Sequence, residues 1–166
     1  MNQSSLHHAI ISEASLRLKD ECLSRILQCI DLLNDDQLWY SPNEVTNSVG
    51  NLILHLCGNI RQYLCHGIGG EADIRVRESE FKSQHTISSE TLKTLITAAI
   101  LDGLNHLDAV PSDNWLKEVK VQVFTLTQYS ALIHVIEHTS YHVGQITYLT
   151  KSQTSRETDY YADFDL

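Results

Sequence analysis

Three histidines, His134, His138 and His142, stand four residues apart in "ALIHVIEHTSYHVGQITYL", with Glu137 among them and few other charged groups. An α-helix advances about 100° and about 1.5 Å per residue. Residues four apart therefore lie about 40° apart around the axis and about 6 Å along it, a spacing that lets two imidazoles share one ion. His134 with His138 satisfies it, and so does His138 with His142. The outer two are about 12 Å apart along the axis, too far for a shared ion whose bonds to nitrogen are only about 2.0–2.1 Å. One ion must take one pair, and His138 belongs to both.

A third donor has to come from another element. In "NLILHLCGN", Asn51, His55 and Asn59 fall on one helical stripe that borders the apolar face of Leu52 and Leu56. A histidine at the edge of a core face is where helix bundles place metal ligands. Alone, His55 also reads as a hydrogen-bonded core histidine, and the histidine pair also reads as a solvated helix face. Gly144, inside the same helical stretch, is about 1 kcal/mol less favourable there than alanine. Close approach of a neighbouring element would explain it, and Gly58 invites the same reading.

Three neutral imidazoles leave an ion its full charge and an open position. Such a site lowers the pKa of bound water or holds a thiolate. Zinc and nickel lead as candidates, and iron and manganese also suit the ligand type. Asn51, Asn59, His134, Tyr141 and Gln145 are placed to orient ligands or to touch a substrate. Glu137 sits about 100° around the helix from His138 and points away. Arg61, Arg75 and Arg77 could meet an anionic substrate; Arg75 and Arg77, with Glu78 and Glu80, also read as a solvated charge run. Cys57, two residues from His55, reads as a packing residue.

The elements that must position these groups are helical. Ile11, Ala14, Leu18, Cys22, Ile26, Cys29 and Leu33 recur at helical spacing and predict a first helix over 4–34. The polar turn "NDDQLWYSPNEV" follows, with Pro42 inside it. A second helix begins at Thr46 or Ser48, both good caps, buries Val49, Leu52, Leu56, Ile60 and Leu64, and ends in "GIGG". The charged segment from Glu71 to Ile87 has no clear periodicity and reads as a long connection of the kind that often carries function. Ser88 caps a third helix with Leu92, Leu95, Ile96, Ala99, Leu104 and Leu107 on its apolar face, closed by Pro111. "LKEVKVQVFTLTQ" alternates and predicts a short extended crossing. The fourth helix covers 127–151, with Leu132, Ile136, Val143 and Ile146 inward. The expected class is all-α, a four-helix bundle in one domain over 1–166. The acidic, tyrosine-bearing tail 152–166 is either flexible or laid over the bundle.

Composition narrows the function. The 166 residues carry a net charge of −9 and no basic patch, which argues against nucleic-acid binding. The N-terminus lacks the basic and apolar regions of a signal peptide, and no apolar stretch is long enough to span a membrane. The four cysteines show no C-x-x-C spacing. These features predict a cytoplasmic, reduced protein with no membrane or nucleic-acid partner.

Two resemblances bear on the chemistry. "HVIEH" matches the H-x-x-E-H pattern of a class of zinc peptidases, which would make His134 and His138 ligands and Glu137 the base. No downstream acidic ligand lies on an obvious helix. The broader likeness runs from the first helix to about Lys151. "SVGNLILHLCGNIRQYLCHGIGGEADIRVRESEF" followed by "ALIHVIEHTSYHVGQITYLTK" resembles the DinB-like (YfiT-like) metalloenzyme superfamily. It implies a four-helix bundle with a long crossover connection and a metal triad of His55, His138 and His142, with His134 outside it. It also implies a homodimer and a small-molecule substrate. The reaction would be metal-dependent hydrolysis or transfer of a low-molecular-weight thiol, such as bacillithiol or mycothiol. The alternatives are a metal-binding or stress-related interaction module without catalysis, and a bundle that serves association only.

Overall fold

A computed structural model describes residues 3–82 and 87–161. Four long helical runs dominate it. The first is α1 (Gln3–Ser15), continued through a π-helical segment, π1 (Leu16–Leu23), into α2 (Ser24–Leu32). A short α3 (Asp35–Leu38) follows. The second run is α4 (Val49–Ile60) with its π-helical continuation, π2 (Arg61–Ile68). After α5 (Arg77–Lys82) come the third run, α6 (Ser89–Asp108), then strands β1 (Glu118–Val121) and β2 (Phe124–Thr127), and the fourth run, α7 (Gln128–Thr154).

Local chemistry sets the starts. Ser48, Ser88 and Thr127 each accept the backbone N–H of the third residue of their helices, the N-cap role of short hydroxyl side chains. Asn51 completes a capping box with Ser48. The second run ends where Gly70 takes a positive φ of 77°, a conformation glycine adopts without steric penalty.

Around the bundle the first run packs on the third and fourth, and the second run packs on the same two. Consecutive runs one and two thus stand diagonally, as do three and four. This is why the connections between them are long. Leu18, Ile26, Leu56, Ile60, Ile96, Ile100, Leu132 and Ile146 meet in one apolar core, each at 1% exposure or less. Cys22, Cys29 and Cys57 belong to that core as packing residues.

Several local expectations change. Leu95 is exposed on α6, and Ile100 and Gly103 are buried instead. The charged connection contains α5, too short to show a period. The extended crossing is an antiparallel hairpin that pairs Val121 with Phe124. Its two-residue turn, Gln122–Val123, lacks the Asn-Gly or Asp-Gly signal of such turns, and Gln122 itself takes φ 55°. The first part of the tail lies over the bundle. The Tyr160 hydroxyl is 2.7 Å from Thr147 Oγ1 and 3.1 Å from Cys29 Sγ, and Arg25 sits over its ring. Residues 162–166 of the tail, and 83–86 of the charged connection, lie outside the described residues. No described helix is long and apolar enough to cross a membrane.

Candidate metal centre

α4 and α7 pack side by side and bring His55 to face His138 and His142. One ligand atom from each of the three lies within 4.8 Å of the other two. His55 Nε2 is 2.9 Å from His138 Nε2. The ring centroids of His138 and His142 are 4.5 Å apart, nearly perpendicular. The group could hold a metal ion. His134 stands one turn before it, with its ring stacked on His138 at 5.4 Å and on Tyr63 of π2 at 4.2 Å.

Two of the three rings, His55 and His142, are held on their far sides. His55 Nδ1 lies 2.9 Å from Glu80 Oε2. Glu80 also accepts Arg75 Nε at 2.7 Å and Arg75 Nη2 at 2.9 Å. Both side chains are under a tenth exposed. Burial acts to raise the Glu80 carboxyl pKa. The hydrogen bonds from Arg75 and His55 together outweigh it, and the pKa falls below the usual carboxylate value. An ionised Glu80 only accepts, so Nδ1 of His55 carries a proton, and in the tautomer this selects the Nε2 lone pair is left for the cluster. Arg75 Nη2 is also 3.1 Å from His55 Nδ1. Both atoms then carry hydrogens, so this approach reflects their shared acceptor and is not a bond between them. On α7, His142 Nδ1 donates to Gln145 Oε1 at 2.7 Å, which likewise turns Nε2 inward.

On α7 the same surroundings favour the neutral form of the imidazoles. Burial, followed by the neighbouring His142 and His55, pushes His138 down to about 3. Burial also lowers His142, opposed in part by the Gln145 bond, and lowers His134. Neutral imidazole is the form that binds metal.

The residues picked out by spacing fall into distinct places. Asn59 Nδ2 is 3.3 Å from His134 Nε2, while Asn59 Oδ1 is buried with no hydrogen-bond partner among the described residues. Asn51 donates to the Glu80 carbonyl at 2.9 Å, so it anchors the support and not the cluster. Tyr141 is exposed and sits edge-on to His142. Glu137 is exposed, pointing away as its helical angle requires. Arg61 pairs with Asp102 at the surface, and Arg77 lies over Phe81.

Arg75 and Glu80 are the correction. They are not part of a solvated charge run but a buried ion pair behind His55. Gly58 was the available signal. A Cβ there would collide with the Glu80 carboxylate and fall 2.8 Å from Arg75 Nε, so the close approach expected at Gly58 is the ion pair itself. At Gly144 the expectation fails, since a Cβ would meet nothing within 4 Å. Gly144 instead borders an open groove of about 630 Å³ with Tyr141, Gln145, Tyr148, Pro42 and Val45. The three histidines do not line this groove. Gln145, which holds His142, joins the two.

The sequence pattern of the family described as "Protein of unknown function (DUF1572)" matches residues 11–161, and the chain belongs to that family. No match was found among curated proteins. The fold is similar to that of a DinB-like protein from Bacillus cereus, with a TM-score of 0.64, 15% identity, and coverage of 81% of this chain and 87% of that one. It is likewise similar to a DinB-like protein (YjoA) from Bacillus subtilis, with a TM-score of 0.66, 17% identity, and coverage of 90% and 94%. At this identity the likeness bears on the fold.

Proposed function

We propose that this DUF1572 member, built on a DinB-like fold, binds a divalent metal through His55, His138 and His142. We further propose that it acts as a metal-dependent enzyme on a small molecule, by hydrolysis or by transfer of a low-molecular-weight thiol. The observation that carries the reading is the orientation of the rings. Glu80 and Gln145 occupy the outer nitrogens of His55 and His142, so that the inner nitrogens of both rings converge with His138. The donor set fits zinc or nickel, and iron or manganese by ligand type. A divalent ion held there supplies Lewis acidity toward an oxygen or sulfur ligand.

The chain's own groups have assignable parts. Glu80 holds the His55 proton on Nδ1 and fixes the ring plane. Arg75 neutralises Glu80, so that the carboxylate does not itself compete as a ligand. Gln145 orients His142 from the edge of the groove, whose walls of Tyr141, Tyr148, Pro42 and Val45 suit a small, partly apolar substrate. Asn59 Nδ2 lies beside His134 Nε2 and supports that ring. His134 braces His138 by stacking.

The experiment is metal analysis of tag-free protein followed by hydrolase and thiol-conjugation panels. Stoichiometric metal with turnover in one panel supports the enzyme. Metal with silence in both favours a non-catalytic binding module. Absence of metal removes the proposal. Pairing of two copies belongs to the same reading. Light scattering of the full-length protein tests it.

A further inference from the structure

A second group of metal-ligating side chains lies at the other end of π2. Cys65 Sγ, a Glu71 carboxylate oxygen and a ring nitrogen of His106 all lie within 4.8 Å of one another. Three elements meet to form it. Cys65 is on π2, His106 is in the last turn of α6, and Glu71 follows the Gly69–Gly70 turn. The positive φ of Gly70 folds the chain back, and Glu71 N–H bonds to the Cys65 carbonyl at 3.1 Å. The returning carboxylate reaches His106 Nε2 at 2.7 Å.

Two details set this apart from a surface ion pair. Gly69 is packed directly under the imidazole. A Cβ there would fall 2.6 Å from His106 Cγ, so only glycine admits the ring in this position. Cys65 is 1% exposed and yet stands outside the contiguous apolar core that takes Cys22, Cys29 and Cys57. Its thiol forms the floor of the cluster, while Glu71 and His106 stay open to solvent on the other side.

We infer that Cys65, Glu71 and His106 form a second divalent-metal site, separate from the three histidines. Its sulfur, nitrogen and oxygen donors suit a borderline-soft ion of the zinc type. A tetrahedral ion with bonds of about 2.0–2.3 Å needs donors roughly 3.3–3.8 Å apart. Glu71 and His106 are now in hydrogen-bond contact at 2.7 Å and would part slightly around an ion, while no pair of the three donors is more than 4.8 Å apart. Three protein ligands leave a fourth position facing solvent. Binding displaces the Cys65 thiol proton, because only the thiolate ligates. An ion there also ties Glu71 to π2 and α6, at the start of the segment that carries Arg75 toward His55.

The proposal does not depend on the histidine cluster, and cobalt separates the two. Thiolate ligation gives Co²⁺ a sulfur-to-metal charge-transfer band in the near ultraviolet, which three imidazoles cannot produce. Co²⁺ titration of reduced, tag-free full-length protein is expected to show that band. It should persist in His138→Ala and disappear in Cys65→Ser. The half-buried His106→Ala and exposed Glu71→Gln disturb packing least. They should weaken the apparent affinity read from the band at least tenfold with unchanged circular dichroism. No band in the wild-type protein overturns the proposal. So does a band that survives Cys65→Ser, or one whose affinity is indifferent to His106→Ala.

Discussion

Glu80→Gln isolates the support behind His55. The carboxylate accepts three bonds, from Arg75 Nε at 2.7 Å, Arg75 Nη2 at 2.9 Å and His55 Nδ1 at 2.9 Å. Glutamine keeps the shape but removes the charge and one acceptor, and it turns an NH2 toward a donor. Arg75 is then left buried without its counter-charge. Removing one partner of a buried pair costs roughly 3–5 kcal/mol, a large share of a domain stability of about 5–15 kcal/mol. His55 also loses the bond that fixes its tautomer. Loss of such a support lowers metal affinity by about 10–100-fold, or about 1.4–2.8 kcal/mol. The assays are urea unfolding of chelated protein and zinc calorimetry, both in a His106→Ala background so that only the histidine cluster is read. Adding Arg75→Met to Glu80→Gln removes the stranded cation. Stability should recover in part while zinc affinity stays low. If Glu80→Gln changes stability by less than about 0.5 kcal/mol and leaves zinc affinity within twofold, the assigned role of the pair is wrong.

Two further predictions concern pH and the two glycines. Chelated protein should lose stability as pH falls below 6.5. His138 is held near 3 when folded against 6.5 when unfolded, so the unfolded chain binds the extra proton. The contribution is complete above 6.5 and about 2 kcal/mol is gone by about pH 5. Denaturant midpoints across that window check it, and a flat profile opposes it. Gly58→Ala forces its Cβ into Glu80 and Arg75 and should cost about 1–3 kcal/mol, whereas Gly144→Ala meets nothing and should stabilise α7 by about 0.5–1 kcal/mol; thermal unfolding of both variants tests the contrast.

The bundle was legible because its signals are periodic. Leu18, Cys22, Ile26 and Cys29, or Leu52, Leu56, Ile60 and Leu64, announce a buried stripe at helical spacing, and Ser48, Ser88 and Thr127 mark the starts. Spacing alone left two histidine pairs open, His134 with His138 and His138 with His142, and it was the resemblance to the DinB-like superfamily that implied His55, His138 and His142, the three whose ligand atoms lie within 4.8 Å of one another. The support escaped because Arg75 and Glu80 lie on a connection and a six-residue helix, where no period says which side chain faces in. A charge pair there reads as solvated until a neighbouring element covers it. Gly58 carried the clue without naming what it makes room for. Gly144 gave the same clue falsely, since glycine beside an open groove looks identical in sequence to glycine beside a packed helix. The Cys65–Glu71–His106 group joins residues up to 41 positions apart through a turn and a helix end, and spacing alone cannot bring those together.

The central claim is that His55, His138 and His142 hold the ion and His134 does not. Zinc bound per chain in tag-free His106→Ala protein tests it most directly. One equivalent is predicted, kept in His134→Ala and lost in His138→Ala and His55→Ala. Zinc that survives His138→Ala, or that leaves with His134→Ala while His142→Ala retains it, contradicts the assignment.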